Sequence, residues 1–148
     1  MIKGSTEISL VVGQLTSWSL LLLLCDFAVV LTTPSLWVIV GIGLTLTIVG
    51  ALTLGVNSYS PLTRPQQTNV LTQKGLYKYI RHPIYIGMLT IGLAFLISRL
   101  TIPVGLSYLL LFLFTIIRAN LEEVVLEERH PEYSVYKAGT KRYLPYFY

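Results

Sequence analysis

Two short clusters of ionisable and aromatic residues interrupt an otherwise apolar chain. The first is Arg81-His82-Pro83-Ile84-Tyr85-Ile86-Gly87, preceded by Lys74-Gly75-Leu76-Tyr77-Lys78; the second is Arg118-Ala119-Asn120-Leu121-Glu122-Glu123. Polar groups at the edge of a membrane-length apolar stretch are costly to bury without partners, so they commonly mark a site. Arg118 can grip a carboxylate with two parallel hydrogen bonds. Glu122, four residues on and on the same helix face, can accept from an ammonium or from ribose hydroxyls. Glu123 is turned from that face by about 100°. Pro83 suits the first turn of a helix, and the N–H groups of residues 84–87 would favour an anion there. Gly87 permits a close approach of backbone or ligand. Each residue also has a plainer reading: a helix-surface ion pair for Arg118 and Glu122, and interface-belt aromatics for Tyr77, Tyr79 and Tyr85.

The elements that must position these residues are membrane helices. Of the 148 residues 53% are hydrophobic and 12% charged, whereas a soluble domain carries about 25% charged residues. The composition is that of an integral membrane protein. One cysteine, Cys25, allows neither an internal disulfide nor a cysteine-based metal site. Two histidines, His82 and His130, are too few for a zinc site, so no metal is expected. The net charge of +4 is accounted for by loop bias and anionic headgroups, with no need of a nucleic acid.

Four spans are expected, over residues 8–31, 36–56, 84–98 and 102–119. The first is too long for a signal-peptide core and lacks a small-x-small cleavage site, so it reads as a retained helix. Asp26 inside it calls for a polar partner or a place near the outer interface. Thr32-Thr33-Pro34-Ser35 is an uncharged turn. The second span carries Gly41, Gly43, Gly50 and Gly55, with Ala51-xxx-Gly55 as a small-xxx-small packing step. Gly41-x-Gly43 lacks the third glycine and the preceding strand of a dinucleotide turn. Lys3, the Arg64–Lys74–Lys78–Arg81 group and the basic residues from Arg118 onward fall on one side, and only Arg99 on the other. By the positive-inside rule both termini, the middle loop and the site face the cytoplasm.

Spans three and four are joined by Ser98-Arg99-Leu100-Thr101-Ile102-Pro103 and should form a helical hairpin. In a register centred on Leu100, His82 faces Arg118 and Lys78 faces Glu122. Both clusters then lie about 27 Å from the turn, at the depth of the inner interface.

Together these residues resemble a known family. Arg81-His82-Pro83-x-Tyr85-x-Gly87, Arg118-x-x-x-Glu122-Glu123-x-x-Leu126, Pro131-Glu132-Tyr133-x-x-Tyr136 and Arg142-Tyr143-Leu144-Pro145 are similar to motifs of the isoprenylcysteine carboxyl methyltransferases, relatives of the phospholipid N-methyltransferases. The resemblance covers about residues 57–148, a methyltransferase core after a two-helix hairpin over residues 1–56. It implies an all-α multi-pass membrane enzyme that uses S-adenosylmethionine and a lipid or lipid-linked acceptor. It implies cofactor contacts from Asn69, Val70, Leu71, Thr72, Tyr77, His82, Pro83, Ile84, Tyr85 and Glu122. Arg118 would hold the substrate, and with Glu122 it would carry the catalysis. Asn69 stands where the family often has His, and His130 where it often has Phe.

A carboxylate acceptor is already nucleophilic and needs only orientation, by Arg118. An amine acceptor would need a base, Glu123 or His82. The alternatives are an amine or phospholipid N-methyltransferase, a thiol S-methyltransferase, a nicotinamide-dependent reductase relative, and a non-catalytic membrane protein. The segment 127–148, rich in Tyr and basic residues, is expected to lie at the interface as a lid.

Overall fold

Prolines and one aspartate punctuate the apolar chain, and the helices begin at them. The computed structural model describes residues 4–55 and 71–143. In chain order the helices are α1 (Gly4–Leu24), α2 (Phe27–Thr32), α3 (Pro34–Leu54), α4 (Pro83–Ser98), α5 (Ile102–Arg129) and α6 (Tyr133–Gly139). A 3-10 turn, Gly75–Lys78, precedes α4. Pro34 and Pro83 each open their helix, where a missing N–H costs nothing. Among the described residues there is no strand, only an isolated parallel bridge between Ile80 and Lys141.

Asp26 breaks the first expected span in two. Its side chain accepts from the Val29 N–H at 3.1 Å and so caps α2. Its own N–H donates to Ser98 Oγ at 3.1 Å, at the end of α4. The expectation of a polar partner is met by a cap in place of a continuous helix over residues 8–31. The fourth span departs in the other direction. α5 does not stop at Ala119 but runs to Arg129, so Arg118, Glu122 and Glu123 ride on one unbroken helix.

α1, α3 and α5 are long and apolar enough to cross a bilayer, and α4 is a shorter apolar helix of 16 residues. Large apolar side chains point outward: Leu23, Leu52, Leu100 and Ile102 are each more than three-quarters exposed. A soluble protein would hide such a surface, and a bilayer covers it. The inward faces mix small and polar residues with Leu and Val, and the small ones let helices approach closely in lipid.

Those small residues set the packing. α3 packs chiefly on α4, and α5 chiefly on α1; contact between α4 and α5 is slighter. At the first seam a Cβ on Gly87 would lie 2.6 Å from the Gly43 carbonyl oxygen, and one on Gly43 would lie 2.7 Å from that of Gly87. Nothing larger than glycine fits where the two backbones meet. The expected step at Ala51 and Gly55 is not this seam. Among the described residues nothing lies within 4 Å of a Cβ placed on Gly55, which ends α3 at φ 80° with its N–H bonded to Ala51 O at 3.1 Å. At the second seam α1 buries Glu7, Leu10, Gln14, Ser17 and Leu21, at spacings of three and four. They face Val104, Leu111, Thr115 and Ala119 of α5, buried at the same kind of spacing. Gly50 beside Pro83, and Gln14 beside Thr115, make both pairings antiparallel. The starts of α1 and α4 and the ends of α3 and α5 therefore gather at one end of the bundle. Both ionisable clusters lie there.

Candidate functional site

Glu123 is the centre of this end. Its side chain is 7% exposed, and its Oε1 accepts from Arg81 Nε at 2.9 Å. The same oxygen lies 3.1 Å from His82 Nε2 and 3.3 Å from Arg142 Nε, while Oε2 lies 3.6 Å from Lys137 Nζ. One buried carboxylate thus joins the start of α4, the C-terminal segment and α5. Arg81 extends the junction by donating to the carbonyls of Thr140 at 2.5 Å and Lys137 at 3.2 Å. The backbone adds Arg81 N–H to Lys141 O at 2.9 Å, Lys141 N–H to Tyr79 O at 3.0 Å and His82 N–H to Arg142 O at 3.3 Å. The segment expected as a lid is docked on residues 77–82 by side chains and main chain together.

Two tyrosines of α6 complete that docking. The Tyr136 hydroxyl donates to the Tyr77 carbonyl at 2.7 Å, deep in the structure. Burial pushes its pKa up to about 12, so the phenol keeps its donated proton. Burial also raises Tyr133, which packs edge-on against Tyr136 with ring centroids 5.7 Å apart.

Beside Glu123 a cluster of aromatic rings gathers around His82. His82 stacks on Tyr85, with centroids 5.4 Å apart and planes 19° from parallel, and leans on Tyr143 at 6.0 Å. His82 Nδ1 is 3.8 Å from Glu122 Oε2, and the Glu122 side chain is about a third exposed, at 36%. The Arg118 guanidinium lies over the Tyr85 ring at 5.8 Å from its centroid, within cation–π range. Arg118 Nη1 donates to Gln14 Oε1 of α1.

His82, Tyr85, Arg118 and Glu122 are thus brought together, but not in the expected pairing. Tyr85, not His82, meets Arg118, and His82 meets Glu122 and Glu123. Lys78 lies over the Tyr79 ring instead of facing Glu122. The offset is about one helical turn. It arises because α4 and α5 are each aligned by another helix, α3 and α1, and not by one another.

The other expected cofactor residues divide. Tyr77 is buried beneath α6, and Leu71 and Thr72 are half-buried. Pro83 and Ile84 turn toward α3, where a Cβ on Gly50 would lie 3.3 Å and 2.9 Å from their side chains. Asn69 and Val70 lie outside the described residues. Of the N–H groups of residues 84–87, that of Ile86 is already bonded to His82 O at 3.1 Å.

From the residues alone Glu123 is a candidate base only, and Gln14 has no expected role. Glu7, Gln14 and Ser17, three polar residues on one face of an apolar helix, were the available signal. Among the described residues no group of His, Cys, Asp or Glu is placed to hold a metal ion. A cleft of about 370 Å³ opens next to the Glu123 cluster, walled by Arg81, Asn120, Glu123, Glu127, Lys137 and Arg142.

A model of the isoprenylcysteine carboxyl methyltransferase family matches residues 36–128. The match spans α3, α4 and nearly all of α5, well over half of the chain. No curated protein and no solved structure matches it.

Proposed function

The chain belongs to the isoprenylcysteine carboxyl methyltransferase family, and we propose that it transfers a methyl group from S-adenosylmethionine to the carboxylate of a lipid or lipid-linked acceptor. That it is a membrane methyltransferase follows from the family and from the apolar helices. The observation that carries the finer reading is the cluster of His82, Tyr85, Arg118 and Glu122, set at one end of the bundle and within the matched region.

The donor set fits such a cofactor. Glu122, partly exposed beside the His82–Tyr85 stack, suits an ammonium or ribose hydroxyls, and the rings suit a flat heterocycle. When bound, S-adenosylmethionine supplies an electrophilic methyl group on a sulfonium that leaves as a neutral thioether. Arg118, with its planar fork, orients the acceptor carboxylate toward that methyl group. The rings of His82, Tyr85 and Tyr143 exclude water, which would otherwise solvate and quiet the attacking oxygen. Glu123 is unsuited to act as a base, because its Oε1 is shared by Arg81, His82 and Arg142. An acceptor already ionised at neutral pH suits this site better than an amine that must first lose a proton.

Purified protein given labelled S-adenosylmethionine should yield a base-labile methyl ester. Its single-turnover rate, with cofactor saturating, should stay nearly flat between about pH 6 and 9, since a carboxylate ionises near pH 4. A rate that climbs steeply over this range, with a base-stable product, would sink the carboxylate reading in favour of an amine acceptor.

A further inference from the structure

We propose that Gln14, on α1, is a positioning residue for Arg118 and makes α1 a working part of the acceptor site; the proposal rests on the carboxylate-methyltransferase reading above. α1 lies outside the family match at residues 36–128. Gln14 is nevertheless 3% exposed, and both ends of its amide are used. Oε1 accepts from Arg118 Nη1, and Nε2 donates to Thr115 Oγ1 at 3.1 Å. The Thr115 hydroxyl in turn donates to Leu111 O at 2.7 Å, so toward Gln14 it can only accept. The guanidinium can only donate, so it draws the amide oxygen to itself, and Thr115 takes the remaining NH₂. The oxygen is presented to the guanidinium, and the NH₂ cannot take its place.

Arg118 is then fixed along two directions. Gln14 holds one edge of the guanidinium, and the Tyr85 ring lies under its face at 5.8 Å. A planar fork recognises a carboxylate only if its plane and edge are both set, so the helix that sets the edge governs how the acceptor is seated. The plainer role for Gln14 is a hydrogen-bonded tie between α1 and α5. The two roles separate in kinetics. A tie alone affects stability, whereas a positioning residue affects acceptor KM while cofactor affinity stays the same.

The test compares wild type with Gln14→Leu, Gln14→Glu and Thr115→Val in detergent. S-adenosylhomocysteine affinity is measured by calorimetry, and methylation kinetics use N-acetyl-S-farnesylcysteine as the acceptor probe. Gln14→Leu should raise the probe's KM about tenfold, a loss of about 1.4 kcal/mol, with S-adenosylhomocysteine Kd within about twofold. Gln14→Glu keeps an oxygen for Arg118 but sets a like charge against the anionic probe. It loses the donor to Thr115 as well, and should still raise KM. Thr115→Val removes only the tie and should raise KM at least about threefold less than Gln14→Leu. Unchanged KM in Gln14→Leu, or a Thr115→Val effect as large, would reduce Gln14 to packing and overturn the proposal. A wild type that binds no S-adenosylhomocysteine, or that binds it and leaves the probe unmethylated, overturns the underlying reading and this proposal with it.

Discussion

Glu122 and Glu123 are adjacent in the chain and opposite in circumstance. Glu123, at 7% exposure, is surrounded by Arg81, His82, Arg142 and Lys137, whereas Glu122, at 36%, has His82 Nδ1 as its ion-pair neighbour among the described residues, at 3.8 Å. The partly open carboxylate is the one available to a ligand. Glu122→Ala should therefore weaken binding of S-adenosylmethionine or S-adenosylhomocysteine by about 1.5–3 kcal/mol, the scale of a hydrogen bond to a charged group. Calorimetry on the two proteins checks it, and equal affinity would remove Glu122 from the site. Arg118 is separated from the cofactor in the proposed scheme. Arg118→Lys should lose turnover while cofactor affinity stays near wild type, because an ammonium cannot reproduce the planar fork or its seat over Tyr85. Loss of both would instead make Arg118 a structural support of the His82–Tyr85–Glu122 cluster.

At the scale of elements, the junction of α5, α6 and the start of α4 depends on one carboxylate. Glu123→Ala would leave the guanidinium groups of Arg81 and Arg142, 9% and 14% exposed, without their shared counter-charge. Breaking a buried ion pair from one side costs about 3–5 kcal/mol. The expected readout is protease cleavage within residues 133–143 of detergent-solubilised protein under conditions where wild type resists. Tyr136 adds a pH signature to the same docking. Its pKa is raised to about 12 in the folded protein against an ordinary value near 10. The folded state thus favours the protonated phenol. Its contribution is complete below about pH 10 and is lost as pH rises toward about 12. Cleavage of α6 should increase across that window in wild type, and Tyr136→Phe, which has no proton to lose, should lack this increment.

For the whole molecule, the antiparallel pairings place the start of α1, the end of α3, the start of α4 and the end of α5 at one end. That end carries Lys74, Lys78, Arg81, Arg118, Arg129, Lys137, Lys141 and Arg142, while Arg99 lies at the other, with its Nη1 donating to Leu24 O at 3.3 Å. On that charge bias we propose that the site end faces the cytoplasm. A cysteine introduced at the exposed Lys74 should react with an impermeant thiol reagent only in inverted vesicles, and one at Leu100 only in right-side-out cells. The reverse pattern would move the site to the other face of the membrane.

Some of this was legible in the residues alone. Apolar runs bounded by prolines specify helices locally, so α4 begins at Pro83, as expected, while α3 takes Pro34 and Ser35 of the expected turn into its first turn. Helix rise per residue places His82 and Arg118 at similar depth without any knowledge of packing. Asp26 was marked as a polar residue in need of a partner, although its capping of α2 was not foreseen. What periodicity could not specify is which side chains touch. It orients faces within a helix, but the axial offset between helices is set by contacts with a third. Here Gly43 against Gly87 aligns α4 to α3, and Gln14 against Thr115 aligns α5 to α1. Those two seams, far apart in the chain, shift α4 against α5 by about one turn. That shift brings Tyr85 to Arg118 and His82 to Glu123, and the α1–α5 seam brings Gln14 to Arg118, arrangements fixed only when all four helices are packed together.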